Sequence, residues 1–272
     1  MSEVPNAQIV GLVRFSVLAT DYYTERFGTV DKIAEHIFST ERLALRFKLF
    51  EALCLPSLVR QSDQGFTCII LTSTLLPTEA MARLQELVSP HSNIHLHPAE
   101  PGNHYPVIRA AYNSISTEGF SHRIAFRIDD DDAVDGDFIT RLRRLGQGLL
   151  ALHDKDVPTV IAFNRGFYVE KTKKGEVVIA DTCERAPLSV GTALLAPVSY
   201  SRNPYRYNHR FLPQHYNTYT DISVPGFIRT IHPDNKSVPS KQGLTHRMQD
   251  DKIARQIKQH FGHDIEMLRQ LL

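Results

Sequence analysis

The fold is decided by the stretch RIAFRIDDDD at residues 123–132, in which an apolar run passes directly into four consecutive aspartates. The run from Arg123 to Ile128 has the β-branched and aromatic composition of a buried strand, and we predict a strand there. In an open α/β sheet, ligands bind beyond the carboxyl ends of the strands. The aspartates that follow this strand therefore occupy the expected position of a functional site.

The four aspartates also suggest what the site contains. Adjacent carboxylates repel one another, and a divalent cation would remove that electrostatic cost. If the chain stays extended, Asp129 and Asp131 face one side and Asp130 and Asp132 the other. Two carboxylates are what Mg²⁺ or Mn²⁺ commonly takes from a protein, with substrate phosphates and waters completing the octahedron. The pattern predicts a divalent metal that offsets charge on a diphosphate leaving group.

Two alternatives to this metal site are open. An acidic run can be a solvated turn that caps the following helix. A calcium loop of the EF-hand type is disfavoured, because Thr140 and Leu142 stand where its twelfth position needs glutamate.

The pattern on either side of the aspartates favours an α/β fold. Strands are predicted at 8–19, 66–72, 93–97 and 123–128, and helices at 40–59, with Thr40 as N-cap, 77–87, 107–115 and 137–152. This alternation favours a mainly parallel sheet covered by helices. Beyond about residue 156, runs at 157–163, 166–170 and 177–180 predict antiparallel hairpins, with further strands at 189–196 and 227–231. The polar stretch 199–223 is predicted to be a long surface or active-site loop, and 248–271 to be helical.

Composition excludes several classes of protein. With 31 basic and 30 acidic residues, the formal net charge of +1 gives no field for general nucleic-acid binding. The three cysteines suit neither a disulfide framework nor a zinc site, which favours a cytoplasmic location. No apolar run is long enough to span a bilayer, although peripheral membrane association stays open. The apolar run from Ile9 to Ala19 is better interpreted as a first strand than as a signal peptide.

At the aspartates the chain resembles the glycosyltransferases of the GT-A fold. Residues 129–139 are similar to their Asp-x-Asp motif followed by a short loop and a helix. More narrowly, the segments 14–16, 49–58 and 127–132 resemble a bacterial rhamnosyltransferase family, and this likeness extends over most of the chain. The resemblance implies a nucleoside-diphosphate sugar donor, with dTDP-rhamnose as the candidate, and a glycan or lipid-linked acceptor.

The resemblance also implies a domain organisation. We expect a single glycosyltransferase domain over residues 1–272, with a Rossmann-like, mainly parallel mixed sheet flanked by helices. Within it, residues 1–155 form the nucleotide-sugar-binding half. Residues 156–247 form an antiparallel, β-rich acceptor half, and residues 248–272 form the C-terminal helical segment.

The same resemblance assigns roles to the aspartates. It implies that Asp129 lies toward the donor ribose or base, with Asp130 also on the donor side. Asp131 is expected to ligate the metal, a role that Asp132 could share. Ser16 is placed at the donor by its position in the segment 14–16.

Other donor, metal and base candidates come from elsewhere in the chain. Arg14 and Arg109 are candidates for the donor phosphates, because arginine binds phosphate in a bidentate manner. Arg127, on the strand, is interpreted as an internal counter-charge for the aspartates. His232, just past a predicted strand, is the candidate late metal ligand, and Asp221 is the candidate base that takes the acceptor proton.

Each of these late candidates has competitors. His209, His215 and His246 compete with His232, and Glu184 and Asp181 compete with Asp221, which is otherwise interpreted as a loop aspartate in an Asx-turn. Gly191 either gives an acceptor close access to the backbone or forms a strand bulge. Two rival functions remain. One is a metal-dependent phosphatase or nucleotidyltransferase, and the other is a non-catalytic carbohydrate-binding module on the same scaffold.

Overall fold

Two β-sheets and the helices packed on them make up the computed structural model, which describes residues 6–152, 154–235 and 247–272. The strands are β1 Ala7–Arg14, β2 Thr67–Ser73, β3 Ile94–Ala99, β4 His122–Asp129, β5 Asp132–Val134, β6 Thr159–Phe163, β7 Arg165–Lys171, β8 Val177–Cys183, β9 Ala193–Pro197, β10 Asn217–Asp221 and β11 Phe227–Ile231. The helices are α1 Thr24–Phe27, α2 Val30–Ile37, α3 Thr40–Leu49, α4 Leu55–Val59, α5 Thr78–Val88, α6 His104–Asn113, α7 Phe138–Leu152, α8 Asp250–Phe261 and α9 Ile265–Arg269. A π-helical turn, Phe50–Cys54, joins α3 to α4, and a 3₁₀ helix spans His209–Gln214.

The larger sheet has seven strands in the order β10-β6-β9-β4-β1-β2-β3. Strand β1 is parallel to both β2 and β4, whereas β9 is antiparallel to both β4 and β6. The chain runs from β1 outward to β2 and β3 and then returns to β4 on the other side of β1. The carboxyl ends of β1 and β4 therefore form a topological switch point, where Arg14 and Asp129 are register partners.

The smaller sheet has four strands in the order β5-β11-β7-β8. Strand β5 begins at Asp132 and pairs antiparallel with β11, so the aspartate run leaves one sheet and enters the other. The C-terminal helices α8 and α9 pack on this sheet through Ile253, Ile257 and Leu268. The acidic stretch is therefore a joint between the two sheets.

The sheet confirms the predicted mixed, mainly parallel α/β architecture, with three local corrections. The stretch 199–223 is wrong as a plain loop, because it contains the 3₁₀ helix and β10, which pairs with β6 at the edge of the large sheet. Strand β6 belongs to the large sheet, and only β7 and β8 form the predicted hairpin. Helices α1 and α2 were not predicted.

The helix predicted at 40–59 is present, but its middle is a π-helical turn and its N-cap is Ser39 instead of Thr40. The 3.6-residue periodicity of the apolar side chains cannot reveal a single wide turn. Phe47 and Phe50 pack on Phe15, just past the end of β1. This packing fixes α3 beside the switch point.

None of the helices in the described ranges is long and apolar enough to cross a membrane.

Close packing between β1 and β4 gives a first prediction. Gly11 and Phe126 are register partners, and a Cβ on Gly11 would collide with the Phe126 ring. We expect Gly11→Ala to lower the free energy of unfolding by about 1–3 kcal/mol through overpacking. Urea unfolding measures it, with Gly148→Ala on α7 as the control, because a Cβ there meets nothing within 4 Å. Equal stability of both variants would contradict the packing described.

Candidate active site

A cavity of about 480 Å³ opens at the carboxyl ends of β1 and β4. Arg14 and Ser16 line it from β1, and Asp129 to Asp131 from the end of β4. Its ionised side chains are the arginines at 14, 42, 46, 127, 206 and 229 and the aspartates at 129, 130, 131 and 234. Because arginines outnumber aspartates, the cavity suits an anionic ligand.

Arg46, on α3, holds two of the aspartates at once. Its Nε donates to Asp130 Oδ2 at 3.0 Å and its Nη1 to Asp131 Oδ2 at 2.8 Å, while Nη2 contacts Asp130 Oδ1. All three residues are buried. An internal counter-charge for the aspartates was expected from Arg127 on the strand, whereas Arg46 on α3 supplies the direct contacts to Asp130 and Asp131.

Asp129 has a different partner. Its Oδ1 accepts a hydrogen bond from Arg14 Nε at 3.1 Å, and Arg14 also lies 3.0 Å from His104 Nε2. Burial favours the neutral acid, but Arg14 and Arg127 outweigh it and hold the pKa of Asp129 at about 2. Asp129 is thus ionised at neutral pH and faces the cavity.

Asp131 is the most heavily bonded of the four aspartates. Besides Arg46, its Oδ2 lies 3.1 Å from His232 Nε2 and accepts from Asn235 Nδ2 at 3.1 Å. Burial opposes ionisation, yet Arg46 and His232 lower the pKa of this carboxyl well below its usual range. The predicted metal ligands Asp131 and His232 are therefore side by side.

Asp132 lies apart from this pair. Its Oδ1 accepts the Thr230 backbone N–H at 3.2 Å in the small sheet, and the residue does not line the cavity. Burial, reinforced by the charge of Asp131, raises its pKa well above the ordinary value. Residues 130 and 131 form a turn between β4 and β5, so the alternation expected for an extended chain is wrong, and Asp130 and Asp131 share the partner Arg46.

The fit of a divalent cation is best judged from the donors. Among the described residues, no group of three or more His, Cys, Asp or Glu is arranged to hold a metal ion. Asp131 and His232 offer one carboxylate and one imidazole, and Mg²⁺ or Mn²⁺ can complete such a partial shell with substrate phosphates and water. These two side chains fit a metal that arrives with its nucleotide.

Two of the predicted donor residues, Ser16 and Arg109, lie in different places in the structure. Ser16 lines the cavity, has a φ of 48°, and accepts a hydrogen bond from Arg42 Nη1 at 3.0 Å. Arg109 is exposed on α6 and lines a separate hollow of about 270 Å³. Only Ser16 joins Arg14 and the aspartates.

Asp221 lies outside the cavity in a buried ion-pair cluster. Its Oδ2 accepts from Arg141 Nη2 at 3.1 Å, and Arg141 Nη1 donates to Asp135 at 2.8 Å. Its Oδ1 accepts from both the backbone and the hydroxyl of Ser223. These bonds include the Asx-turn that was the alternative interpretation.

The competing candidates are scattered. His209 lines the cavity, His215 stacks on Tyr207, and His246 lies outside the described residues. Glu184 accepts from Tyr168 OH at 2.8 Å, Asp181 accepts from Met248 N at 3.2 Å, and neither lines the cavity. Gly191 has a φ of 71° and packs against Phe138 just before β9.

Sequence reasoning missed Arg42 and Arg46. They are four residues apart on α3, where two like charges repel on a solvated helix face. That spacing was a usable signal, because such a pair is best tolerated when carboxylates face it. Asn235 and Arg229 carried no comparable signal, since their positions depend on how β11 meets β5.

Arg127 is a buried arginine on the cavity wall that makes no ion pair with a carboxylate of the described residues. It is 7% exposed, its guanidinium carbon lies 4.1 Å from the Tyr205 ring centroid, and no carboxylate within the described ranges lies at ion-pair distance from it. Its Nη1 reaches the Pro204 carbonyl at 3.5 Å, and its Nε has no partner among the described residues. Arg127 therefore influences Asp129 only through space and retains bonding capacity for an anion.

Comparisons with known proteins give one family and several distant structures. A family model described as "Putative rhamnosyl transferase" matches residues 8–244. No curated protein matches the chain. The chain is similar to TarS 1-349 from S. aureus in complex with UDP-GlcNAc, at 11% identity and a TM-score of 0.46, over 86% of this chain and 62% of that chain. It thus spans less than two thirds of that TarS chain.

A second similar structure is titled a "Putative Glucose-1-Phosphate Thymidylyltransferase" from Bacillus anthracis. It is 9% identical with a TM-score of 0.37, over 80% of this chain and 88% of that chain.

The ion pair at Asp129 gives a prediction for acid stability. The pKa of Asp129 is about 2 in the folded protein, against an ordinary value of 3.8. The unfolded chain therefore binds a proton at this carboxyl more readily than the folded protein does. The contribution of this ion pair to the free energy of unfolding is complete above about pH 4 and is lost as pH falls toward about 2. It amounts to at most about 2 kcal/mol. Urea unfolding at several pH values should show the stability gap between wild type and Asp129→Asn narrowing in that window. A gap that is constant with pH would contradict the ion pair.

Asp221 gives a second prediction. Because it pairs with buried Arg141, we expect Asp221→Ala to lower the free energy of unfolding by about 2–4 kcal/mol. Thermal and urea unfolding measure the loss, and Asp251→Ala, which breaks an exposed helix pair, is the control with little effect. An Asp221→Ala protein of full stability would contradict this ion pair.

Proposed function

Because the chain belongs to the family described as "Putative rhamnosyl transferase", we propose that it transfers a sugar from a nucleoside-diphosphate donor to a hydroxyl acceptor. The donor diphosphate binds in the cavity at the carboxyl ends of β1 and β4. The observation that carries this proposal is Arg127, a buried cation facing the cavity with no carboxylate partner in the described part of the chain. A buried charge without a partner is costly, and a bound phosphate would compensate it.

The aspartates and arginines divide the work of binding. Asp129, ionised and held by Arg14, faces the donor ribose or base, whose hydroxyls and N–H groups it can accept from. Tyr22 and Tyr205 line the same cavity, where Tyr22 stacks on His104 and the Tyr205 ring packs against the Arg127 guanidinium. Arg127 lies on the cavity wall and is the proposed partner of the diphosphate.

Mn²⁺ or Mg²⁺ is proposed at Asp131 and His232. When bound, the metal would offset the negative charge that develops on the leaving nucleoside diphosphate. Arg46 bonds Asp130 and Asp131 and holds both carboxylates at the cavity wall. Asp132 is not retained as a ligand in this proposal, because its carboxylate is committed to the Thr230 backbone.

The sugar, the cellular location and the catalytic base are narrower parts of the proposal, and each has its own support. Rhamnose, and with it dTDP-rhamnose as donor, is supported by the family description alone. A cytoplasmic location follows from the expected use of an activated nucleotide sugar. Asp221 is retained as the candidate base on one condition. Asp221→Ala must keep full stability and lose sugar transfer.

The test is donor turnover by purified protein. A panel of sugar nucleotides that includes dTDP-rhamnose is incubated with and without Mn²⁺, and free nucleoside diphosphate is measured. We expect at least one donor to be turned over, and Asp131→Asn to lower the rate by about 100-fold or more. Asp63→Asn, which alters an aspartate that pairs with Arg143 outside the cavity, is the matched control and should keep the wild-type rate.

The same assay separates the rival functions. Release of orthophosphate or pyrophosphate without a sugar product would support a phosphatase or nucleotidyltransferase. Failure of folded wild type to turn over any donor would support a binding module. Because Asp131 is buried and bonded to Arg46, thermal unfolding must accompany the kinetics to show that the variant is folded.

A further inference from the structure

A groove leads away from the donor cavity along α6. Arg206 lines both the cavity and the adjoining hollow of about 270 Å³. That hollow shares Ser201 and Arg202 with a further pocket of about 380 Å³ between the end of α6 and β9. The three depressions therefore adjoin one another, and the residues that they share come from the segment after β9.

Every ionised side chain that lines the outer two depressions, within the described residues, is an arginine. These are Arg109, Arg123, Arg202 and Arg206, and no aspartate or glutamate lines either depression in the described ranges. The chain as a whole has nearly equal numbers of acidic and basic residues, so this one-sided lining is local. Low-dielectric walls of one charge sign concentrate ligands of the opposite sign.

The groove also offers sugar-binding chemistry. Arg206 lies 5.3 Å from the Tyr105 ring centroid, and Arg202 Nη1 donates to Tyr207 OH at 3.1 Å, so aromatic faces are interleaved with the charges. Asn203 is 5% exposed and lines the pocket of about 380 Å³, and its Nδ2 has no partner among the described residues. A buried amide donor without a partner is costly and suits a ligand oxygen.

We propose that this groove, Arg206 to Asn203 by way of Arg109 and Arg202, holds the acceptor, and that the acceptor is an acidic glycan whose sugars carry carboxylate or phosphate groups. This inference rests on the proposed sugar transfer, because it assigns the second substrate of the same site. The groove begins at the donor cavity, so the terminal hydroxyl of the glycan meets the donor sugar near Arg206. The remaining units lie along α6.

The experiment measures binding of defined oligomers without any donor. The probes are oligogalacturonate, with one carboxylate per sugar, oligo(glycerol phosphate), and neutral maltodextrin. We expect wild type to bind at least one acidic oligomer with an affinity that falls as salt rises, and to bind maltodextrin at least about tenfold more weakly. The acidic oligomer that binds better distinguishes carboxylate from phosphate.

Variants locate the site. The double variant Arg109→Glu with Arg202→Glu should weaken acidic-oligomer binding by at least about tenfold, whereas Arg109→Lys with Arg202→Lys should retain most of it. Arg144→Glu is the matched control, because Arg144 is exposed on α7 and lines none of the three depressions. Both exposed arginines can be changed without loss of core packing, and circular dichroism checks the fold.

Three results would overturn the inference. These are equal binding of neutral and acidic oligomers, equal loss in Arg144→Glu, and binding to phosphatidylglycerol vesicles with none to the oligomers, which would assign the groove to a membrane surface. Donor turnover by wild type, measured separately, keeps the two proposals distinguishable. A protein that turns over a donor but binds no acidic oligomer retains the function and loses this acceptor.

Discussion

The pairing of Arg46 with two buried carboxylates is the constraint on which the site depends. Asp130 and Asp131 leave β4 at the switch point, where the chain crosses from the large sheet to the small one. Buried carboxylates at that joint require a counter-charge, and α3 provides it from 84 and 85 residues earlier in sequence. The π-helical turn and the aromatic packing of Phe15 on Phe47 and Phe50 set where α3 lies, and thereby where the guanidinium reaches.

With Arg46 bonded to Asp130 and Asp131, the remaining arginines determine what the cavity attracts. Arg14 is occupied by Asp129, whereas Arg127 is buried against Tyr205 without an ion pair in the described ranges. Folding has already removed that cation from water and placed it next to a cavity, at a cost in free energy. A diphosphate fits this arrangement better than a bare metal does, and a metal bound at Asp131 and His232 would reach full coordination only with the nucleotide present. Donor and cation are therefore expected to bind together.

The sequence predicted the architecture well where the signal was local. The strands at 67–73, 94–99 and 122–129 follow from short apolar runs with clear boundaries, and the family resemblance is confirmed over most of the chain. Strand β10 was missed, because its Asn-Thr-Tyr-Thr-Asp sequence is polar and its pairing with β6 is an edge contact that no local pattern encodes. The π-helical turn was also missed, because it is fixed by tertiary packing, which no local sequence pattern encodes.

The sequence predicted the carboxylates of the site together with Arg14 and Arg127, and it missed the arginines of α3. Asp129, Asp131 and His232 meet as expected, because position after a strand is visible in sequence. Arg46, Arg42 and Asn235 join them only through the fold. Asp221 and Arg109 were placed by analogy and by residue type, and neither property determines which way a side chain faces. The acidic run suggested a site with an excess of negative charge. The structure reverses the sign of that charge, because the cavity has more arginines than aspartates.

The most direct test of this reversed sign is calorimetric titration of a nucleoside diphosphate into folded protein, with and without Mn²⁺, at two salt concentrations. A cavity whose arginines exceed its aspartates should take up one equivalent, bind more weakly at high salt, and lose affinity in Arg127→Gln with no loss of fold. Folded protein that binds no nucleoside diphosphate under either condition, or binds it equally well after that substitution, would contradict the account.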